Sequence, residues 1–360
     1  MNSDMPFVDV VSVLWNSARF MPALFEGLVD TDYPLDSWCM HFVDNNPGDG
    51  SLDEVKRLMN VHVGFLPQIR IHSPTTNTGF SGGNNLVMKI ALERGTGYVF
   101  MLNHDARFEK SALREAIAVA ESDPLIGSVQ SLLVLQKNPQ EINSRGNAIH
   151  YLGFGYCLGY HEKRSDMRQD IVDIGYASGA AALYPVEILR RVWLLDETLW
   201  LYHEDLDLGW RIRLAGYRNV LAPKSVVQHS YEFSRSISKW YWMERNRVLV
   251  VLKNFKMRTI VILLPQLIFI DIALFFFALK GGWWREKVKA WMHFFHLSTW
   301  KYIIRGRAEI ARQRIVSDKD ILRFCTPIIA YQEMESVFVS RIVNPIWVTL
   351  YRILRYIVIW

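Results

Sequence analysis

Through its first 130 residues the chain alternates short apolar runs with segments whose apolar residues recur every three or four positions. Val8–Leu14 is a Val-rich run bounded by Pro6 and Asn16, the pattern of a buried strand. Ala18–Val29 carries Phe20, Leu24 and Leu28 at helical spacing and stops before Asp32, Tyr33 and Pro34. Trp38–Val43 predicts a second strand. Leu52–Met59 predicts a helix, with Ser51 as N-cap and Glu54 completing a capping box. Ile69–His72 reads as a third strand, and a helix to about Glu93 follows Asn77–Asn85. Tyr98–Leu102 is apolar enough for a fourth strand, with a helix over Lys110–Ser122 behind it. This alternation predicts an α/β fold built on a mostly parallel sheet, with helices on both faces.

Each of these strands ends in polar residues: Trp15 and Asn16, Asp44 and Asn45, Asn77, then Asn103, His104 and Asp105. In a parallel sheet such ends share one edge, where open α/β folds bind nucleotides. No GxGxxG follows the first strand and no GxxxxGK(S/T) occurs, which argues against a dinucleotide dehydrogenase or a P-loop NTPase. Gly79–Gly83 opens a helix; its amides would suit a phosphate, or the segment is a tight turn.

Beyond residue 125, Leu125–Val134 predicts another strand and Asn143–Tyr160, rich in Gly and aromatics, a loop or irregular hairpin. Gly175–Leu183 is a run of small residues that permits close approach to the backbone, and Pro185 opens a short helix to Arg191. Leu201–Ala215 starts acidic and ends basic, which suits a helix macrodipole, and Gly216 closes it. Glu204 and Asp205 then sit at a helix start, as capping groups or as reactive carboxylates. Val220–Leu221 and Val226–Val227 read as two short strands, the second running into His229.

Composition narrows the setting. Half of the 360 residues are hydrophobic, 13% are aromatic, 13 are Trp, and the net charge is +5. A mildly basic chain suits anionic lipid, a phosphorylated substrate or nucleic acid. Cys39, Cys157 and Cys325 lie far apart without metal-ligand spacing, so neither a disulfide framework nor a zinc site is expected. The N-terminus has no basic region followed by an apolar run, so no signal peptide is expected.

Seven segments carry a more specific signal: VVSVLWNS, FVDNNPGDGS, NTGFSGGNN, VFMLNHDA, ASGAAALYPVEIL, LYHEDLDLGWRIRLAGY and VVQHS. In this order and at these separations the chain resembles glycosyltransferase family 2, the inverting GT-A enzymes, over roughly residues 7–235. Within it, the chain looks closest to the rhamnosyltransferase and galactofuranosyltransferase branch. The resemblance implies a GT-A domain over 1–235 and a nucleotide-sugar donor, with dTDP-rhamnose ahead of UDP-hexoses, and a divalent metal, Mg²⁺ or Mn²⁺. Asp105 matches the last acid of a DXD-type element and His229 the histidine that joins it as a metal ligand. Asn103 stands where many members have Asp, which removes one negative charge. Asp44, Trp15 and Asn16 match nucleoside-binding positions, although Trp15 also reads as a core aromatic. Asn77, Gly79, Gly83 and Asn84 resemble a donor-binding loop; Asn103, which can still bind metal or a ribose hydroxyl, and His104 join the donor-binding set, and Gly179 with its small neighbours would form the wall against which sugar and acceptor meet. Asp205 matches the family's general base with Glu204 beside it, and Asp207 is the second choice.

From about Trp240 the composition changes. Met243–Val250 resembles an Arg-Asn segment that follows the catalytic domain in the same branch. Ile260–Leu279 is twenty residues, apolar except for Gln266 and Asp271, long enough to span a bilayer. A mid-helix carboxylate needs a partner, so a buried or partly inserted helix is favoured over a full crossing. Gly281–Asp320 carries nine Lys/Arg against four Asp/Glu, interleaved with Trp and Phe, and Asn344–Trp360 repeats the pattern. Residues 236–360 are therefore expected to form a helical region that docks on the cytoplasmic leaflet, next to a lipid-linked glycan acceptor. No nucleic-acid partner is expected, and a homo-oligomer is left open. Two other readings are a polymerising transferase and a non-catalytic nucleotide-sugar-binding scaffold.

Overall fold

The computed structural model describes residues 5–231, 239–330 and 339–360. The boundary expected at 235/236 lies outside the described residues.

The first half follows the alternating pattern closely. β1 (Val8–Leu14), α1 (Met21–Asp30), β2 (Trp38–Asp44), α2 (Ser51–Val61), β3 (Gln68–His72), α3 (Gly79–Arg94) and β4 (Tyr98–Leu102) succeed one another. β1 and β2 are buried along their whole length, as strands covered on both faces must be. The capping box at Ser51 does not form. Gly50, at φ +82°, is the cap, and the Ser51 hydroxyl instead accepts the Ser17 N–H at 2.8 Å.

β5 (Ala106–Phe108), α4 (Ala112–Glu121), β6 (Ile126–Leu135), β7 (Asn138–Ser144), β8 (Asn147–His150), β9 (Gly155–Cys157), β10 (Val172–Asp173), β11 (Ala181–Pro185), α5 (Val186–Val192), α6 (Glu204–Leu214) and β12 (Arg218–His229) complete the α/β part. Among the described residues, ten strands form one sheet with the path β10-β12-β6-β11-β4-β1-β2-β3; β5 pairs with β12 and β7 with β6. β11 runs antiparallel to both β4 and β6, so its first residues lie at the edge where β4 ends. The two short strands expected around 220 and 227 are one strand, interrupted by a bulge between Ala222 and Val226. Pro185 closes β11 and caps α5 rather than opening the helix.

Helices dominate the rest: α7 (Lys239–Asn254), α8 (Met257–Lys280), α9 (Trp284–His293), α10 (Leu297–Gln313), α11 (Asp318–Phe324) and α12 (Asn344–Ile357), with β13 (Cys325–Thr326) joining β8 and β9 in a small sheet. One core cluster runs through Tyr151, Leu206, Trp210, Leu249, Leu263 and Trp347, so helices and α/β body share apolar packing. Buried charge joins them too. Asp207 of α6 is fully buried between Arg211 at 2.8 Å and Lys253 of α7 at 3.0 Å, and Asn254 donates to it at 2.9 Å.

Candidate active site

The polar strand ends do meet at one edge. After β1 the chain turns through Asn16 in the left-handed region at φ +49°. Its N–H is held by Asp49 Oδ2 at 2.7 Å, while the Trp15 N–H is held by Ser17 Oγ at 2.8 Å. Trp15 is 47% exposed, so it is not a core aromatic; it lies open at the edge. Asp44, at the end of β2, is buried, and burial pushes its carboxyl up despite the Asn46 N–H beside it.

Asn45 links β2 to the next segment. Its Nδ2 donates to Gly79 O at 2.8 Å, and its Oδ1 accepts from Thr78 Oγ1 at 3.0 Å. The amides at the start of α3 are already occupied: Phe80 and Ser81 donate to the Trp200 carbonyl at 2.9 and 3.2 Å, and Gly79 to Asn77 Oδ1 at 2.8 Å. This corrects the reading of Gly79–Gly83 as a phosphate loop. Gly79 is required because its φ is +69° and an added Cβ would sit 2.5 Å from the Trp200 indole. Gly83 and Asn84 do not face the edge. An added Cβ at Gly83 would lie 2.8 Å from Val13, and buried Asn84 donates to Phe80 O at 2.9 Å. Gly83 serves the packing of α3 on β1, and Asn84 bonds back within α3.

At the end of β4 the Asn103 N–H bonds Ala180 O at 3.0 Å, tying it to β11, and His104 Nδ1 bonds Val13 O at 3.0 Å. The register of β5 on β12 places Ala106 opposite His229. Asp105 Oδ1 thereby comes 3.2 Å from His229 Nε2 across 124 residues of sequence. Burial opposes ionisation of Asp105, but the imidazole beside it holds the carboxyl down at about 2. His229 Nδ1 pairs with Asn143 Oδ1 at 2.9 Å; a carboxamide oxygen only accepts, so Nδ1 carries a proton and Nε2 faces Asp105. An imidazole oriented by such an outer partner is the usual arrangement of a histidine ligand. Asp105 Oδ1 is buried, and the His229 ring lies beside it without a well-aligned hydrogen bond. A buried carboxylate oxygen beside an oriented imidazole fits a divalent cation held by Asp105 and His229.

A second group, Asp9, Cys39 and His41, also lies within ligand spacing, near the opposite ends of β1 and β2. It does not fit as well. The Asp9 carboxylate is bonded to His41, Arg94 and Thr96, and burial raises the Cys39 thiol to about 11.

The acidic pair at the start of α6 faces β11. Asp205 Oδ2 accepts the Gly179 N–H at 3.0 Å and its Oδ1 the Leu206 N–H at 2.7 Å. Burial raises the Asp205 carboxyl, and these backbone donors offset part of that rise. Glu204 is only 4% exposed, its Oε2 has no hydrogen-bond partner, and burial plus the Asp205 charge push it well up. Both carboxyls are thus pushed up, Glu204 further than Asp205, which keeps its backbone donors. Gly179 lies against the Phe80 ring, where an added Cβ would approach to 3.0 Å. Asp207, the second choice for the base, is committed to Arg211 and Lys253. Asp207→Asn should cost about 3 kcal/mol of stability, read as a lower thermal midpoint, and leave kcat of the folded fraction largely intact.

The contacts Asp205–Gly179, Ala180–Asn103 and Asp105–His229 form one continuous row along the edge. Asn143 holds that row through His229, while Asn45, Asp49 and Trp200 hold the neighbouring turns at Asn16 and Gly79, and no local pattern in the sequence distinguishes them.

A search of curated proteins gives no match. Among solved structures the fold is similar to GalNAc-T7 with UDP, GalNAc and Mn²⁺ (TM-score 0.52, 15% identity, 70% of this chain and 48% of that one). It is also similar to the mannosyltransferase PcManGT from Pyrobaculum calidifontis with GDP-Man and Mn²⁺ (TM-score 0.51, 15% identity, 99% and 87%). The chain thus spans about half the length of GalNAc-T7. The family model for glycosyl transferase family 2 matches residues 9–193. The chain belongs to glycosyl transferase family 2 and is a glycosyltransferase with a GT-A-like fold.

Proposed function

We propose that the protein moves a sugar, with inversion, from a nucleoside diphosphate donor to a hydroxyl of a lipid-linked saccharide. The observation that carries this reading is the row of Asp105–His229 and Asp205–Gly179 along one sheet edge. Asp205 removes the proton of the acceptor hydroxyl as that oxygen forms its bond to the anomeric carbon. The bond from that carbon to the diphosphate oxygen breaks on the opposite face, and the nucleoside diphosphate leaves. Asp105 and His229 would hold a divalent cation, which when bound offsets charge on the departing diphosphate. Trp15, Asn16 and Asp44 line the nucleoside, Asn77 and Gly79 stand beside it, and Asn103 and His104 face the sugar phosphate. L-Rhamnose from dTDP-rhamnose is the first choice of donor, on the branch resemblance.

The test is a screen of dTDP-rhamnose, UDP-galactose, UDP-galactofuranose, UDP-GlcNAc and GDP-mannose with Mn²⁺ or Mg²⁺, reading thermal shift and slow donor hydrolysis. One donor giving a cation-dependent response supports the reading. Silence with all five would overturn the donor class.

We also propose residues 236–360 as a region that seats the enzyme on an anionic membrane surface. α8 turns Val261, Leu264, Ile268, Phe269, Ile272 and Phe276 outward, with exposed Arg258 and Lys280 at its ends. Its polar groups point inward: Thr259 to Asp318 at 2.6 Å, Gln266 to Tyr151 at 2.7 Å and Asp271 to Arg247 at 2.8 Å. A crossing would break these three ties, so the helix rests in the interface plane with its outer face in lipid. The enzyme should float with vesicles containing phosphatidylglycerol, and Ile268→Asp with Phe269→Asp should abolish flotation. A double variant that floats normally would refute the assignment of this face.

A further inference from the structure

The Arg-Asn segment of α7 has no part in the chemistry above, yet it grips the peptide that leads into Asp205. Between Thr198 and His203 the chain contains three non-glycine residues in the left-handed region: Trp200 at φ +63°, Tyr202 at +64° and His203 at +69°. Such conformations cost about 1–3 kcal/mol each and persist only where the surroundings enforce them. Here the enforcement comes from α7. The fully buried Asn246 shares its Nδ2 hydrogens among Leu199 O at 2.8 Å, Leu201 O at 3.0 Å and Tyr202 O at 2.7 Å. Arg245 donates to Thr198 O at 2.6 Å and Leu199 O at 3.3 Å. The Trp200 ring stacks on Trp242 of the same helix, centroids 4.7 Å apart.

This strap touches both sides of the edge. The Trp200 carbonyl caps α3, and His203 is the N-cap of α6, two residues before Asp205. We infer that Arg245 and Asn246 are positioning residues: by holding the 198–203 strap they set where the Asp205 carboxylate stands relative to Gly179. The effect passes through backbone carbonyls, so neither side chain needs to reach a substrate. The inference rests on Asp205 as the general base.

The experiment compares Asn246→Ala and Arg245→Lys with Asp205→Asn, and with Thr259→Val as a variant that loosens α8 far from the strap. For Asn246→Ala, kcat should fall about 100-fold, the scale of a small misplacement of a reacting group. Its Mn²⁺-dependent affinity for the nucleoside diphosphate and its acceptor KM should change less than about threefold on the same ground. Arg245→Lys keeps the charge but loses the planar fork, and should give a smaller fall in kcat with the same split. Thr259→Val should lower the thermal midpoint without lowering kcat per folded molecule. A folded Asn246→Ala with normal kcat overturns the inference, as does a loss that merely tracks the unfolded fraction. If Asn246→Ala does not accumulate as folded protein, an unchanged kcat in Arg245→Lys overturns it instead. If Asp205→Asn itself transfers sugar normally, the base assignment is what fails.

Discussion

Asp205→Asn should lower transfer by about 10²–10⁴-fold, the contribution of a positioned general base, while leaving nucleotide binding nearly unchanged. Asn preserves the shape of the side chain, and its oxygen can still accept the Gly179 N–H that Asp205 Oδ2 accepts at 3.0 Å. What disappears is the ability to take a proton, together with the acceptor that Asp205 Oδ1 offers the Leu206 N–H at 2.7 Å. The wild-type pH profile should report the same group. A base works only when deprotonated, so the rate is present above its pKa and is lost as pH falls through it. Burial raises the Asp205 carboxyl, so this acid limb should lie above the ordinary value of 3.8. Glu204→Gln should preserve an acid limb, because the Asp205 carboxylate that takes the proton is still present. A limb that vanishes in Glu204→Gln and survives in Asp205→Asn would transfer the role to Glu204.

Asp105→Ala should remove the cation dependence of nucleotide binding, measured by titrating Mn²⁺ with and without nucleoside diphosphate and by the spin-resonance signal of bound Mn²⁺. The site has few anionic groups to spare, since Asn103 beside Asp105 is neutral. Asn143→Ala should weaken the cation by about 10–100-fold, the usual scale for an outer-shell partner, because it frees the His229 ring held at 2.9 Å. Unchanged Mn²⁺ affinity in Asp105→Ala would remove the site from this edge and return attention to Asp9, Cys39 and His41.

The sheet and the acidic start of α6 are legible in the sequence because they rest on local signals: Val-rich runs, helical spacing, and charges placed along the helix dipole. The glycine-rich start of α3 misleads for an equally physical reason. A run such as Gly79–Gly83 signals close approach to the backbone, and only tertiary structure reveals that the visitor is the Trp200 carbonyl rather than a phosphate. The same limit hides Asn45, Asn143 and Asn246. Each acts across at least 33 residues of sequence through a carboxamide, and a lone Asn has no periodicity to betray it. Asp271 is the reverse case. A carboxylate inside an apolar run demands a partner on physical grounds alone, and Arg247 and Lys287 are that partner.

The bulge in β12 gives the Asp105–His229 pairing a dependence on chain length. Ala222 sits opposite Ser131 and Val226 opposite Leu132, so Pro223, Lys224 and Ser225 are three residues inserted against none on β6. Pro223 has no N–H to leave unpaired there, and Ser225 pins the insert to Ser131 and to Ala112 O, both at 2.7 Å. Strand side chains alternate between faces, so losing or gaining one residue in this insert would rotate His229 away from Asp105 without altering either residue. The spacing between His229 and the bulge is therefore as much a part of this pairing as the two side chains themselves, and a single-codon deletion at 223–225 should damage it as surely as a substitution at 229.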